Sequence, residues 1–346
     1  MRPLLLLLVT AHVAVSARDL RIGVFTLFHP SELVLRAVPE NPLVIHIGDA
    51  EWKLDSSRTA RFHLDSSAVL CTLDDRTISS PVVRMSGRHA AFILSVPGKI
   101  ERRFAGALEI RARDHELVPI LVTDLETAVA SVAAAEAVHD APAEALKAQA
   151  IAARSFYIAS PARHPDFQFC DTTHCQFLRE PPHDSAAALS TNGLVLLHAG
   201  APLPALFSAS CGGRTRTLAE AGMPVDGYPY YAVECRACQR NASFWRRSFP
   251  AGYSSLLEDH SEAHRIELDR IFGWNALPSS NYSTARDGDL ILVHGRGEGH
   301  GIGLCQRGAH AMASSGADYR LILTYFYANT SLGSWKSPDG SGFRRR

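Results

Sequence analysis

The sequence predicts an α+β fold, in which a strand-rich N-terminal part precedes a core of mixed helices and strands. Short β-rich runs separated by Pro, Gly, Asp and Ser clusters fill residues 20–122, a pattern typical of strands joined by turns. From Asp124 the chain becomes rich in alanine, which favours helix. The later strands and helices do not follow a regular βαβ repeat, so a parallel α/β sheet is not predicted.

Periodicity and punctuation place the individual elements. Six runs of the N-terminal part predict strands: RIGVFTLF, PLVIHIG, PVVRMSG, AAFILSV, ALEIRAR and ELVPILVT. LETAVASVAAAEAV predicts a helix, and a second helix is expected to begin near Asp140, with Pro142 in its first turn. TNGLVLLHAGAPLPALFSAS predicts a strand pair, and DLILVHG predicts a strand before the glycine run GRGEGHGIG. Two last helices are expected at residues 308–315 and 319–327.

The first seventeen residues, MRPLLLLLVTAHVAVSA, have the layout of a cleavable secretory signal. Their apolar run is shorter than the roughly twenty apolar residues of a membrane-spanning helix. We therefore expect the protein to be exported, to a periplasm or to the cell wall and extracellular space. The predicted organisation is a signal peptide at 1–17, a strand-rich part at 18–115, a core of mixed helices and strands at 116–334 and a flexible tail at 335–346.

Charge balance argues against polyanionic partners. Thirty-five lysines and arginines match thirty-five aspartates and glutamates, for a formal net charge of zero. Without a general positive field, neither nucleic acid nor an anionic membrane is predicted as a partner, and a neutral polymer fits better. The glycine run lacks the GxxxxGK[ST] pattern of a phosphate loop, so nucleotide binding is not predicted either.

The segment CDTTHC predicts a zinc site. It offers Cys170, His174 and Cys175, and His164 lies six residues upstream of it. Two thiolates and two imidazoles suit tetrahedral zinc, and four protein ligands would make the site closed and structural. A disulfide between Cys170 and Cys175 is the alternative that an exported protein permits. Zinc is favoured because His174 would have no evident purpose inside a disulfide loop.

The remaining cysteines carry a weaker signal. Cys235 and Cys238 form a lone CxxC, which fits a redox motif, half a zinc site or a disulfide. We favour a short disulfide, or pairing with Cys211 or Cys71. Cys305 is interpreted as a buried small hydrophobic residue.

Three segments taken together resemble the SpoIID/LytB family of stage II sporulation protein D and amidase enhancer proteins: AAAEAVHDAPAEALKAQAIAARSFY, CDTTHCQF, and GEGHGIGLCQRGAHAMA followed by LILTYFY. The resemblance covers roughly residues 21–332. It implies a peptidoglycan lytic transglycosylase that cleaves between N-acetylmuramic acid and N-acetylglucosamine in glycan stripped of peptides, giving 1,6-anhydro products. It also supports zinc at the CDTTHC loop. The alternative is a non-catalytic protein that binds glycan and enhances a cell-wall amidase.

Glu136 matches the catalytic glutamate of that family, eight residues before Glu144. Its alanine and valine neighbours are expected to desolvate the carboxylate and raise its pKa, which suits a general acid. Local sequence alone favours the solvated face of a helix instead. The family usually has Met and Pro after the acid and a Trp before the helix, whereas this chain has Ala137, Val138 and Ala141. A conventional hydrolase needs a second carboxylate, for which Glu298 is the candidate.

Four further residues are candidates for holding the glycan. The segment SASCGGRT resembles a groove-lining segment of the family and contains Ser210, whereas His300 and Gln306 suit hydrogen bonds to sugar hydroxyl and acetamido groups. His300 and Gln306 could instead stabilise a tight turn. Arg154 could pair with a lactyl carboxylate, although a helix arginine is more often a surface or salt-bridge residue. No GxSxG elbow surrounds Ser210, so a serine hydrolase is not predicted.

Overall fold

The computed structural model describes residues 19–39, 41–86, 91–136, 140–180, 185–225, 227–241 and 243–335. The predicted signal peptide at 1–17 and nearly all of the predicted tail lie outside these residues. Strands and helices are both abundant in the described residues and the N-terminal part is strand-rich, which confirms the α+β prediction. Among the described residues, no helix is long and apolar enough to cross a bilayer.

The chain forms two compact units, each built from two stretches of sequence. The first unit contains the described residues up to Leu125 together with Ala162–Cys175. The second contains Glu126–Pro161 and the described residues from Gln176 onwards.

The first unit is made of two sheets. Its strands are β1 (Asp19–Gly23), β2 (Glu32–Ala37), β3 (Leu43–Ile47), β4 (Ala50–Leu54), β5 (Thr59–Asp65), β6 (Ala68–Leu73), β7 (Arg76–Ser80), β8 (Val82–Ser86), β9 (Ala91–Val96), β10 (Ile100–Ala105), β11 (Ala107–Arg113), β12 (Glu116–Asp124) and β13 (Phe169–Cys170). One sheet has the order β13-β1-β12-β11-β8-β3-β4 and the other β10-β9-β2-β5-β6-β7. All neighbours are antiparallel except β13, which runs parallel to β1.

Alternating burial along the strands places the core between these sheets. In β2, for example, Leu33 and Leu35 are fully buried while their neighbours are partly exposed, the period of two expected of a sheet with one covered face. Strands β6 and β8, from different sheets, contact each other. The run RIGVFTLF forms a strand only as far as Gly23, because Phe25 has a left-handed φ of 58° and a short 3-10 helix, Thr26–Phe28, follows it.

The second unit combines helices with short strands. Its elements are α1 (Leu125–Glu136), α2 (Ala143–Ala159), α3 (Ala186–Ser190), β14 (Leu194–His198), β15 (Ala201–Pro202), β16 (Phe207–Ser208), α4 (Arg236–Arg240), β17 (Phe244–Pro250), α5 (Glu262–Phe272), β18 (Tyr282–Asp287), β19 (Leu290–Arg296), β20 (Leu304–Cys305), α6 (Gln306–Ser314), α7 (Tyr319–Phe326) and β21 (Ser331–Ser334). Helix α2 contacts α3, α6, α7 and β14. The buried alanines Ala148 and Ala152 on α2 leave room for this close packing.

Helix α2 begins later than expected. Asp140 has a left-handed φ of 56°, a conformation that does not continue into a helix. Pro142 therefore stands immediately before the helix rather than inside its first turn.

Candidate functional site

Glu136 is the last residue of α1. Its Oε1 accepts a hydrogen bond of 3.0 Å from the backbone N–H of Phe177. On the preceding turn Val132 and Ala133 are buried, so the helix holds the carboxyl group beside an apolar surface. A helix C-terminus also carries partial negative charge, which disfavours an ionised acid there.

Burial is the largest influence on this carboxyl group and raises the pKa of Glu136 above its ordinary value. Hydrogen bonds from the Phe177 N–H and the Gln306 side chain act in the opposite direction, as does the positive charge of Arg179. The net rise keeps the proton on Glu136 to a higher pH than on a free glutamate. The expected desolvation is thus present, and the solvated helix face is not what the structure shows.

The segment that presents the Phe177 N–H is fixed on both sides. The Ser131 hydroxyl of α1 donates to the carbonyl oxygen of Arg179, and Gln176 Nε2 donates to the carbonyl oxygen of Ala153 in α2 at 3.4 Å. Because α1 and α2 both hold this segment, the donor to Glu136 does not depend on a free loop. This contact could not be predicted from the sequence, since a backbone N–H leaves no mark in the residue pattern.

Gln306 is brought to the acid. It is the first residue of α6 and only 8% exposed, and its side-chain amide lies close enough to Glu136 to lower the pKa of that carboxyl group. Its Nε2 also donates to Gln149 Oε1 of α2 at 3.4 Å. The structure therefore places one predicted glycan-binding residue directly beside the catalytic candidate. A contact between Gln306 and a sugar stays a prediction.

His300 and Ser210 have local partners of their own. The backbone N–H of Ile302 donates to His300 Nδ1 at 3.0 Å, and burial lowers the pKa of His300, so the ring is neutral with its proton on Nε2. This is the tight-turn role that the sequence left open. The Ser210 backbone forms an antiparallel bridge with Glu298, whose side chain is exposed. The Ser210 hydroxyl lies 3.5 Å from Cys238 Sγ.

Arg154 is a structural salt-bridge residue. Its side chain is fully buried, and its Nε and Nη2 donate to the two carboxylate oxygens of Glu126 at 2.7 and 2.6 Å. Nη1 donates to the carbonyl oxygen of Leu194 at 3.1 Å. The guanidinium thus ties α2 to α1, and it has no exposed surface with which to meet a substrate carboxylate.

The four predicted zinc ligands come together in the first unit. One ligand atom from each lies within 4.8 Å of all the others: His164, Cys170, His174 and Cys175. Cys175 Sγ is 3.6 Å from both His164 Nε2 and His174 Nδ1. Around tetrahedral zinc, with Zn–S about 2.3 Å and Zn–N about 2.0–2.1 Å, neighbouring sulfur and nitrogen ligands lie about 3.6 Å apart. The donor set and its spacing therefore fit zinc.

A tight turn shapes this cluster. The N–H of Cys175 donates to the carbonyl oxygen of Thr172 at 3.0 Å, and the N–H of His174 donates to Thr172 Oγ1 at 3.2 Å. The ring of His164 packs on Phe167 with centroids 4.5 Å apart. Cys170 and Cys175 are both free thiols, so the disulfide alternative is not formed in this structure.

Comparisons with known proteins agree with the motifs. The family model of the stage II sporulation protein, SpoIID, matches residues 113–198, which include Glu136 and the four predicted zinc ligands. An uncharacterized protein of Brachyspira hyodysenteriae is 28% identical over 267 residues, covering 66% of this chain and 72% of that protein. Stage II sporulation protein D of Bacillus subtilis is 26% identical over 255 residues, or 60% of this chain and 74% of the relative. An amidase enhancer of Bacillus subtilis is 36% identical over 69 residues, which cover 20% of this chain and 10% of the relative.

Proposed function

Because the chain belongs to the SpoIID family, we propose that it cleaves peptidoglycan glycan strands as a lytic transglycosylase. Glu136 is its single catalytic acid and base. The observation that carries the proposal is the position of this carboxyl group, which is half-buried, accepts a hydrogen bond from the Phe177 N–H and has a raised pKa. A glutamate that keeps its proton to a higher pH than a free carboxyl group is better suited to protonate a leaving group.

One carboxyl group suffices for this reaction. The Glu136 carboxylic acid gives its proton to the glycosidic oxygen between N-acetylmuramic acid and N-acetylglucosamine, and the bond from that oxygen to the anomeric carbon breaks. The muramic C6 hydroxyl oxygen then attacks the anomeric carbon, and its proton goes to the Glu136 carboxylate. A 1,6-anhydro ring forms, no water is consumed and the acid is regenerated. A hydrolase instead needs a second carboxylate, as nucleophile or to activate water.

The neighbours of Glu136 are suited to both halves of the cycle. Burial favours the protonated form that must be present at the start. Once the proton has left, the Phe177 N–H, the Gln306 side chain and the Arg179 charge stabilise the carboxylate. Burial thus stabilises the protonated form of this carboxyl group, and the donors and the positive charge stabilise its ionised form.

Zinc belongs to this proposal as a structural ion. His164, Cys170, His174 and Cys175 would hold it with four protein ligands, which leaves no position open for a reacting water. Its contribution is to stabilise the 162–175 segment. The substrate lies outside the cytoplasmic membrane, which agrees with the export expected from residues 1–17.

The deciding experiment is mass spectrometry of denuded glycan strands after incubation with the purified protein. We expect anhydro-muramyl ends from the native protein and a rate lower by about 10²–10⁴ in Glu136→Gln, because a general acid contributes that much. Glu267→Gln changes an exposed glutamate of α5 in the same unit and should keep full activity. Reducing ends would instead support a two-carboxylate hydrolase, with Glu298 as the second group.

A second candidate function comes from the similarity to an amidase enhancer over 69 residues. In that case the protein binds glycan and stimulates a separate cell-wall amidase without cutting the strand. Glycan strands would stay intact after incubation with the zinc-loaded protein. Under this second function, the Glu136→Gln variant would still stimulate the amidase. If the native protein cleaves glycan and Glu136→Gln does not, the transglycosylase is supported instead.

A further inference from the structure

Four of the seven cysteines meet in the second unit, although up to 94 residues separate them. Their sulfur atoms all lie within 4.8 Å of one another, and every one of the four residues is at most 2% exposed. All four are free thiols. We call this group the four-cysteine cluster, and it consists of Cys211, Cys235, Cys238 and Cys305.

The spacing of the sulfurs fits a single tetrahedral ion. Cys238 Sγ and Cys305 Sγ are 3.5 Å apart. Four sulfurs about 2.3 Å from a zinc ion lie about 3.8 Å from one another, whereas a disulfide bond brings two sulfurs to about 2.0 Å. The sulfurs of an iron–sulfur cluster are spread wider, because several metal and sulfide ions lie between them.

The surroundings supply donors to the sulfurs. The backbone N–H groups of Cys211 and Gly308 both lie 3.4 Å from Cys305 Sγ and point to it, and the Ser210 hydroxyl is 3.5 Å from Cys238 Sγ. Cys305 is also the N-cap of α6, where a helix favours negative charge. Hydrogen bonds of this kind stabilise and orient thiolate ligands of a metal.

The close approach of α6 depends on a glycine. A Cβ atom added at Gly308 would lie 2.8 Å from Cys235 Sγ, nearer than a side chain tolerates. Without a cation the buried cysteines would stay protonated, and the N–H groups would point at neutral sulfur atoms, which are weak acceptors. These donors are better matched to thiolates that bind a cation. Zinc prefers thiolate ligands, and four of them close its coordination.

We propose that the four-cysteine cluster binds a second zinc ion, which fixes the N-terminus of α6 beside the catalytic site. The ion joins the loop after β16, the helix α4 and the first turn of α6. Gln306 follows Cys305 directly, and its side-chain amide lowers the pKa of Glu136. The second zinc therefore acts on Gln306 as a positioning group, and it is distinct from the His164 cluster, which belongs to the other unit.

The test is the zinc content of the purified chain, measured by elemental mass spectrometry against protein concentration. We expect two zinc ions per chain, one in His164→Ala, one in Cys305→Ser and two in Cys71→Ser, which removes the lone buried thiol of β6. Cobalt substituted into His164→Ala should show the charge-transfer absorption of a four-thiolate site. Amide exchange in the first turn of α6 should be about tenfold faster in Cys305→Ser.

Measurements on the native protein test the second zinc site even if a cysteine variant does not fold. A single zinc per chain that disappears in His164→Ala would overturn the second site. So would alkylation under denaturing, non-reducing conditions that leaves the cysteines of the cluster unmodified, because they would then be paired as two disulfides. Unchanged amide exchange in a folded, zinc-depleted Cys305→Ser would overturn the positioning role.

Discussion

At Glu136 two opposing sets of forces act on one proton. Burial beside α1 raises the pKa, and the donors from Phe177 and Gln306 limit the rise. Because the proposed reaction starts from the protonated acid, its rate should fall as the pH rises through the pKa of Glu136. The pH at which the rate falls therefore measures the balance between the influences that raise the pKa of Glu136 and those that lower it.

Gln306→Leu tests this balance. The Gln306 amide stabilises the ionised carboxylate, so its loss raises the pKa of Glu136 further, and the fall in kcat/KM should move to higher pH. The measurement is kcat/KM for glycan cleavage as a function of pH. Gln239→Leu changes an exposed glutamine of α4 and should leave the profile in place. A fall that moves to lower pH in Gln306→Leu would contradict the assigned contact.

Arg154→Met tests the buried salt bridge. Its removal leaves Glu126 and the Leu194 carbonyl oxygen without their partner, and breaking such a pair costs roughly 3–5 kcal/mol of unfolding free energy. Urea unfolding of the native protein and the variant measures this difference. Arg36→Met breaks an exposed pair with Glu101 and should cost less than about 1 kcal/mol. Similar small losses in both variants would argue against a structural role for Arg154.

Among the elements, those with clear periodicity could be predicted from the sequence. The segments that form α1, α6 and α7 were predicted as helices, and β3, β8, β9, β11 and β12 were predicted as strands. The strands β2, β4 to β7 and β10 were missed, and in β4 and β7 the exposed positions carry charged or serine residues that look like turns, as in RTISS. Here the pairing with neighbouring strands decides the structure.

The two cysteine-containing clusters also differ in how far the sequence could predict them. His164 and the CDTTHC segment lie within twelve residues, so local spacing was enough to predict that these four side chains meet. The four-cysteine cluster was not predicted, because Cys211 and Cys305 are 94 residues apart and meet only through the fold. The interpretation of Cys305 as a buried small residue was correct about burial and gave no indication of its neighbours.

Gly308→Ala tests the packing of α6. Alanine is favoured over glycine in a helix by up to about 1 kcal/mol, yet its Cβ would lie 2.7 Å from Phe326 Cζ and 2.8 Å from Cys235 Sγ. We expect a net loss of about 1–3 kcal/mol from overpacking, measured by urea unfolding. Ser314→Ala, at an exposed position of the same helix, should be neutral or slightly stabilising. A stabilised Gly308→Ala would show that α6 is packed more loosely.

For the whole molecule, the two clusters divide between the two units. Loss of the proposed zinc site at the His164 cluster, in His164→Ala, should therefore speed amide exchange by about tenfold in residues 162–175. The same increase is expected in β1, which pairs with β13. The first turn of α6 should keep its native protection. Hydrogen–deuterium exchange with mass spectrometry measures both regions at once. His115→Ala, at an exposed position of the first unit, is the matched control, and equal acceleration in both regions would contradict independent sites.

The first unit is not contiguous in the chain, and this affects the order in which it can be completed during synthesis. Strand β13 and the residues of the His164 cluster follow α1 and α2, which belong to the other unit. As the polypeptide leaves the ribosome from its N-terminus, the seven-stranded sheet lacks its edge strand β13 until Cys170 has emerged. The nascent chain must therefore hold an unfinished sheet through the translation of two helices, and a stop codon after residue 125 would remove every ligand of the His164 cluster.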